Sequence, residues 1–363
     1  MAKPSPAILC LCSLLATISA GCNGTYRQMT TSGFAQTNLV ADTPGNASHF
    51  DRGLVNPWGI AFAPGQAFWI ANNSLGTAKV YDNTGTSQIP LEIGIPIPVG
   101  NTAPSTPTGV VYNPIAQDFV VRGNPAQFLF ATEDGTISTW GEDARGDIPT
   151  FAVMVVNNSG AGSVYTGLTI PTPSCCREYL AVADFHNGLV ATRDVGFNLL
   201  ATGGNFTDPG LPAGYAPFNI QQIGTQLFVT YALQDSAKRT AVAGAGNGIV
   251  DIFDQEGVFV RRFVSHGALN APWGMVQASS NFGPFSNDIL IGNFGDGVIN
   301  AFDPVTGNFV GQIQDRSGNT IVNLGLWALA FRNDGVGDPN ALYFTAGPNR
   351  GQDGVFGAFT YMK

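Results

Sequence analysis

Asn56-Pro57-Trp58-Gly59-Ile60-Ala61-Phe62 returns later in the chain as Asn270-Ala271-Pro272-Trp273-Gly274-Met275-Val276. Looser copies read Pro107-Thr108-Gly109-Val110-Val111-Tyr112, Tyr165-Thr166-Gly167-Leu168-Thr169-Ile170, Ala216-Pro217-Phe218-Asn219-Ile220 and Leu326-Trp327-Ala328-Leu329-Ala330-Phe331. Aligning Gly59, Gly109, Gly167, Asn219, Gly274 and Ala328 gives spacings of 50, 58, 52, 55 and 54 residues. Behind each opening stands a second apolar run that ends in small and polar residues. Examples are Phe68-Trp69-Ile70-Ala71-Asn72-Asn73, Leu129-Phe130-Ala131-Thr132-Glu133-Asp134 and Ile289-Leu290-Ile291-Gly292-Asn293-Phe294-Gly295-Asp296. A third run closes in an Asp-to-Gly turn at Asp82/Gly85, Asp254/Gly257 and Asp303/Gly307. There the Asp side chain bonds its own backbone and the Gly takes a positive φ.

A period near fifty residues, holding about four short strands, predicts an all-β fold: a six-bladed β-propeller. Helical repeats would carry a 3.6-residue apolar period, which is absent. The sixth copy reaches Tyr361 after only three strands. Residues 34–40, which precede the first copy, are therefore expected to complete the last blade and close the ring through the two ends of the chain, removing a raw sheet edge. The expected organisation is a targeting segment (1–22), a short tether (23–33) and one propeller domain (34–363).

Composition agrees with this. Of 363 residues only 11% are charged, while 46 are Gly, 23 Pro and 25 Phe. That mix suits short strands and tight turns better than helices. A formal net charge of −9 argues against nucleic acid, whose phosphates demand a basic surface.

Lys3 followed by the apolar stretch 7–20 reads as a signal for export, too short to span a bilayer comfortably. Ser19-Ala20-Gly21-Cys22 resembles a bacterial lipobox, in which Cys22 is lipidated, although Ser19 stands where that pattern prefers Leu. The alternative is an ordinary signal peptide cut nearby, with Cys22 left as a free thiol. Asn23 lacks the Asp that commonly signals inner-membrane retention, so in a Gram-negative cell the lipoprotein is expected on the outer membrane; without lipidation the protein would be secreted or periplasmic. Cys175 and Cys176 are adjacent, and no spaced cysteine set reads as a zinc site.

Asn38-Leu39-Val40-Ala41-Asp42-Thr43-Pro44-Gly45, followed by Leu54-Val55-Asn56-Pro57-Trp58-Gly59-Ile60, resembles the opening of an uncharacterised family of exported bacterial β-propellers. Some members of that family carry a C-terminal PEP-CTERM sorting segment. The resemblance continues through Ala183-Asp184-Phe185-His186-Asn187-Gly188 to Trp327. No hydrophobic tail or arginine cluster stands before Lys363, so Cys22 is expected to take over anchoring. More distantly the repeats are similar to NHL-type propellers and to the senescence-marker/gluconolactonase group. The resemblance implies a fold and export, and no established reaction.

Antiparallel strands place the start of the first strand beside the end of the second, so these segments from all blades should converge on one mouth of the channel. Loops on a rigid ring are the expected place for function. The expected binding face comprises Trp58, Asn73, Asp134, Asn187, Trp273, Asn293, Asp296 and Trp327. Glu133, Asp184, Asn219 and Asn270 are candidate oxygen ligands for Ca²⁺ or Mg²⁺, which need several such groups from different blades. The competing reading is that these Asp and Asn residues cap turns. Gluconolactonase-like propellers use a Glu, Asn and Asp set to hold a metal that polarises a carbonyl, which this inventory resembles without matching its spacing. The three recurring Trp residues read first as packing between blades, and second as an aromatic lining for a flat ligand. His186 is the one candidate general base, and it lacks a paired nucleophile. The sequence therefore favours a monomeric binding or scaffolding module for a protein, glycan or small ligand, touching membrane only through its lipid. The alternative is a divalent-metal-dependent lactonase or ester hydrolase.

Overall fold

In a computed structural model the described residues are Met1, 32–88, 92–143, 145–172 and 178–363. Cys22, Cys175 and Cys176 lie outside them. Six β-sheets are arranged as the blades of a propeller. Their innermost strands are Pro57–Phe62, Pro107–Tyr112, Tyr165–Thr169, Tyr215–Ile223, Pro272–Gln277 and Leu326–Ala330. These are the six sequence copies, each opening its own blade.

Second strands such as Phe68–Asn72, Phe128–Thr132, Leu180–Asp184, Ile289–Asn293 and Leu342–Ala346 are buried at every position. A strand covered by a neighbouring blade on each face reads as a continuous apolar run and not as an alternation. Outer strands are more exposed in several blades, and Phe309–Gln312 has no fully buried residue. The cores lie between blades: Trp69, Phe128, Phe130 and Trp140 pack between the first and second, and Phe34, Phe282, Leu290 and Phe344 between the fifth and sixth. Asp82 Oδ1 accepts the N–H groups of Thr84 and Thr86 at 2.8 and 3.0 Å, with Gly85 at φ 89°. Asp254 repeats the device with Glu256 and Val258, as expected of these turns.

The ring closes as predicted. Gly33–Ala41 pairs antiparallel with Val355–Met362 and completes the last blade from the N-terminal side. Two blades depart from the four-strand pattern among the described residues: the last gains a short fifth strand, His49–Phe50, parallel to Gly33–Ala41. The third has three strands among the described residues, because the chain after Arg193 turns away. Gly204 and Phe206 then donate backbone hydrogen bonds to Glu256 and Gly257 of the fourth blade, at 3.0 Å each.

The glycines at the repeat position explain why the copies exist. A Cβ on Gly59 would stand 2.7 Å from the Val110 nitrogen, and one on Gly274 would stand 2.2 Å from the Trp327 carbonyl oxygen. Both contacts reach the innermost strand of the next blade. A Cβ on Gly167 would likewise lie 2.0 Å from Asn219 Oδ1. At these glycines the innermost strands of neighbouring blades come so close that a side chain is excluded, whereas the fourth and sixth blades admit Asn219 and Ala328. Where the repeat has Asn219, its amide crosses the gap and donates to the Trp273 carbonyl at 2.9 Å.

Candidate functional site

Second-strand ends and the segments leading into the innermost strands meet at one mouth of the channel. Most of the polar side chains there cap backbone. Asn72 Oδ1 accepts the Val55 N–H at 2.7 Å, Asp184 Oδ1 the Val164 N–H at 3.2 Å, and Asn293 Oδ1 the Asn270 N–H at 3.1 Å. Asp134 Oδ2 accepts from the Thr106 N–H at 3.0 Å and from Ser105 Oγ at 3.1 Å. These bonds satisfy buried donors that no ladder reaches. Asn187 leans on the same device, donating through Nδ2 to Asp184 Oδ2 at 2.9 Å. Asn270 accepts the Gly244 N–H at 2.7 Å and donates to Asp296 Oδ2 at 3.2 Å.

The three repeated tryptophans gather on the channel axis. Trp58 and Trp327 stack with centroids 3.4 Å apart, Phe294 stacks on Trp327 at 4.3 Å, and Trp273 meets both indoles edge-on at 6.0 and 5.7 Å. Each tryptophan is at least 95% buried. This is the packing role expected of a residue repeated at one blade position, and the rings plug the channel.

Above the plug lies a cavity of about 790 Å³. Trp58, Phe218, Phe294 and Trp327 line it, together with Asn56, Asn73 and Glu133 and the two cations Arg239 and Arg350. A directed hydrogen-bond chain crosses its wall. Trp327 Nε1 donates to Asn56 Oδ1 at 3.1 Å, Asn56 Nδ2 to Asn73 Oδ1 at 3.1 Å, and Asn73 Nδ2 to Glu133 Oε2 at 3.0 Å. An indole N–H can only donate, so it sets the orientation of both amides and leaves a carboxylate as the natural terminus. The chain ties the sixth, first and second blades together. Burial pushes the Glu133 carboxyl above its ordinary value, opposed by the Asn73 hydrogen bond and the charge of Arg239.

Of the residues expected at the working face, Trp58, Asn73, Glu133 and Trp327 line this cavity. Trp273 and Asn219 line a second space of about 210 Å³ among the innermost strands. Asp134, Asp184, Asn187, Asn270, Asn293 and Asp296 form the caps described above, outside the lining of the cavity. His186 sits against Gly162, its buried Nδ1 without a hydrogen-bond partner among the described residues. The four candidate metal ligands Glu133, Asp184, Asn219 and Asn270 are thus divided among the cavity, two caps and the inner space. Among the described residues no three His, Cys, Asp or Glu side chains come together as a metal site would require.

Sequence reading missed Arg239 and Arg350. Arg239 lies in a loop outside the repeat. Arg350 follows the second strand of the sixth blade, Leu342–Ala346, much as Asn73 and Glu133 follow theirs, so aligning the strand ends one turn further would have exposed it.

No protein-family profile matches the sequence. The chain is 34% identical over 332 residues to the uncharacterised protein R648 of Acanthamoeba polyphaga mimivirus, covering 88% of this chain and 78% of that one. It is 32% identical over 328 residues to the uncharacterised protein L690 of the same virus, covering 88% and 84%. Among solved structures, the soluble aldose sugar dehydrogenase of Escherichia coli in its apo-form superposes with a TM-score of 0.57 at 13% identity, over 90% of this chain and 99% of that one. A streptogramin B lyase does so at 0.50 and 12%, over 92% and 100%. At such identities the structural likeness shows the propeller fold alone. By sequence, this chain belongs to the family of the uncharacterised mimivirus proteins R648 and L690.

Proposed function

We propose that the protein is a binding module that takes a small ligand into the cavity at the mouth of its channel. The observation that supports this reading is the cavity itself: about 790 Å³, part aromatic and part polar, with a pre-oriented hydrogen-bond chain in its wall. A largely preformed apolar pocket with a few convergent polar groups is the usual form of a small-molecule site. Export and anchoring through Cys22 belong to the same proposal, since they would place the open face outside the cytoplasm.

Metal-dependent hydrolysis is less well supported. Ca²⁺ needs six to eight oxygens, whereas Glu133 is the one carboxylate lining this cavity, and two guanidiniums line it as well. Ala243 also lines the cavity and is exposed, so Ala243→Trp would fill the space without touching the core. Because Trp58 and Trp327 border the cavity, a bound ligand should change tryptophan emission. A panel of defined sugars, sugar acids and aromatic acids should yield saturable changes in the wild type that Ala243→Trp abolishes. Saturation that survives in the filled variant would place binding elsewhere and refute the reading. Stoichiometric metal in the purified protein, lost with Glu133→Gln, would favour the hydrolase.

A further inference from the structure

We infer that the ligand of this cavity carries an oxyanion, a carboxylate or phosphate group on a ring-sized body, held by Arg239 and Arg350. The inference rests on the reading of the cavity as a binding site and names the chemistry of its occupant.

Three observations carry it. First, the lining holds two guanidiniums and one carboxylate in a protein whose formal net charge is −9. Acidic side chains are plentiful, yet neither arginine has one as a salt-bridge partner among the described residues. Among the described residues the Arg239 guanidinium donates only to the Glu133 carbonyl, at 3.3 Å, and the Arg350 guanidinium has no hydrogen-bond partner. A planar guanidinium with free donors fits the two oxygens of a carboxylate or phosphate side by side.

Second, Arg350 and the residue just before Arg239 stand on backbone that is held against its preference. Asn349 and Arg350 adopt φ of 52° and 57° in succession, and Lys238, just before Arg239, has φ 57°. A left-handed conformation at a residue other than Gly is unfavourable and persists where the surroundings impose it. Here the surroundings are visible. Asp235 Oδ1 accepts the N–H groups of Arg239 and Thr240 at 2.8 and 3.1 Å, and Ser74 Oγ donates to the Gly351 carbonyl at 3.1 Å. The two loops are braced in the shape that brings these side chains to one cavity.

Third, Trp58 lines the cavity while 95% buried, and its Nε1–H has no acceptor among the described residues. An unpaired buried donor is unfavourable, and an acceptor on a ligand would relieve that cost. The apolar edges of Phe218 and Phe294 in the lining suit the ring.

The test uses the full chain and matched probes in calorimetry: glucuronate against glucose, and phenyl phosphate and benzoate against benzyl alcohol. At least one oxyanion probe should bind about tenfold or more tightly than its neutral partner, with an affinity that falls as salt rises. Arg239→Gln and Arg350→Asn should each weaken it about tenfold, the worth of a charge-assisted bond, while leaving neutral probes unchanged. Asn tolerates the left-handed conformation, so Arg350→Asn keeps the loop. A preference for phosphate over carboxylate, or the reverse, identifies the oxyanion. Neutral probes that bind as well as charged ones, and are blocked by Ala243→Trp, would overturn the oxyanion and leave the cavity reading intact. No binding by any probe would overturn both.

Discussion

Replacing Gly274 by Ala should cost far more than a methyl group on a strand ordinarily does. The added carbon would stand 2.2 Å from the Trp327 carbonyl oxygen, 3.0 Å from the Leu329 nitrogen and 3.2 Å from the Ala328 carbonyl carbon. All three are backbone atoms of the next blade's innermost strand, so no side chain can swing aside. To reach an ordinary contact of about 3.4 Å the two strands must part by roughly 1 Å, against their packing on both faces. Overpacking of this kind costs about 1–3 kcal/mol, and burying one methyl returns no more than about 0.8 kcal/mol. Backbone strain does not enter, because Gly274 lies outside the left-handed region. The expected net loss is about 1–2 kcal/mol, read as a lower midpoint of guanidinium unfolding at unchanged slope. Gly160→Ala is the matched control: nothing lies within 4 Å of its added carbon and its φ is unexceptional. It should be neutral or slightly stabilising, since Ala restricts the unfolded chain. Equal midpoints for both variants and the wild type would refute the account of the repeat as a close-approach site.

Trp327→Phe removes the indole donor at the head of the hydrogen-bond chain and leaves Asn56 Oδ1 without it. Unfolding should show a loss of about 1–3 kcal/mol, and a wild-type midpoint would mean that the chain contributes nothing. Burial, opposed by Arg262 and aided by Asp208, lifts the Asp251 carboxyl to about 7. Its neutral form is the one favoured in the folded state, so this stabilisation is fully present below the ordinary carboxylate range and is lost as pH rises through 7. Between pH 5 and 8 the wild type should therefore lose stability relative to Asp251→Asn, and parallel stability curves for the two would contradict that. Cys22→Ser should release the protein from the membrane fraction if the thiol is lipidated; unchanged retention would remove the lipobox reading.

The ring itself could be read from the chain. Gly59, Gly109, Gly167 and Gly274 recur because at these four positions a Cβ would press on the next blade's innermost strand, and this local requirement leaves a periodic mark that Asn219 and Ala328 interrupt. Continuous apolar second strands and Asp-to-Gly turns are marks of the same kind, since their causes lie within one blade or between neighbours. The missing sixth outer strand and its replacement by residues 34–40, observed as Gly33–Ala41, followed from counting, because an incomplete last blade would leave a raw edge.

The site was legible only in part. Trp58, Asn73, Glu133 and Trp327 were marked by their blade positions, and they do line the cavity. Asp184, Asn219 and Asn270 carry the same type of residue at comparable positions, yet their oxygens accept backbone N–H groups. Whether an Asn or Asp faces ligand or caps a turn depends on which donor lies nearest, and that is set by packing across the ring. Arg239 and Arg350 are far apart in sequence, Arg239 in a loop outside the repeat and Arg350 a turn beyond the aligned strand ends, and ring closure brings them to one mouth. Sequence alone therefore determined the six-bladed propeller, because its causes repeat every fifty residues or so. The cavity, its directed hydrogen-bond chain and its pair of arginines were decided by the tertiary structure, because each depends on single contacts between different blades that occur once.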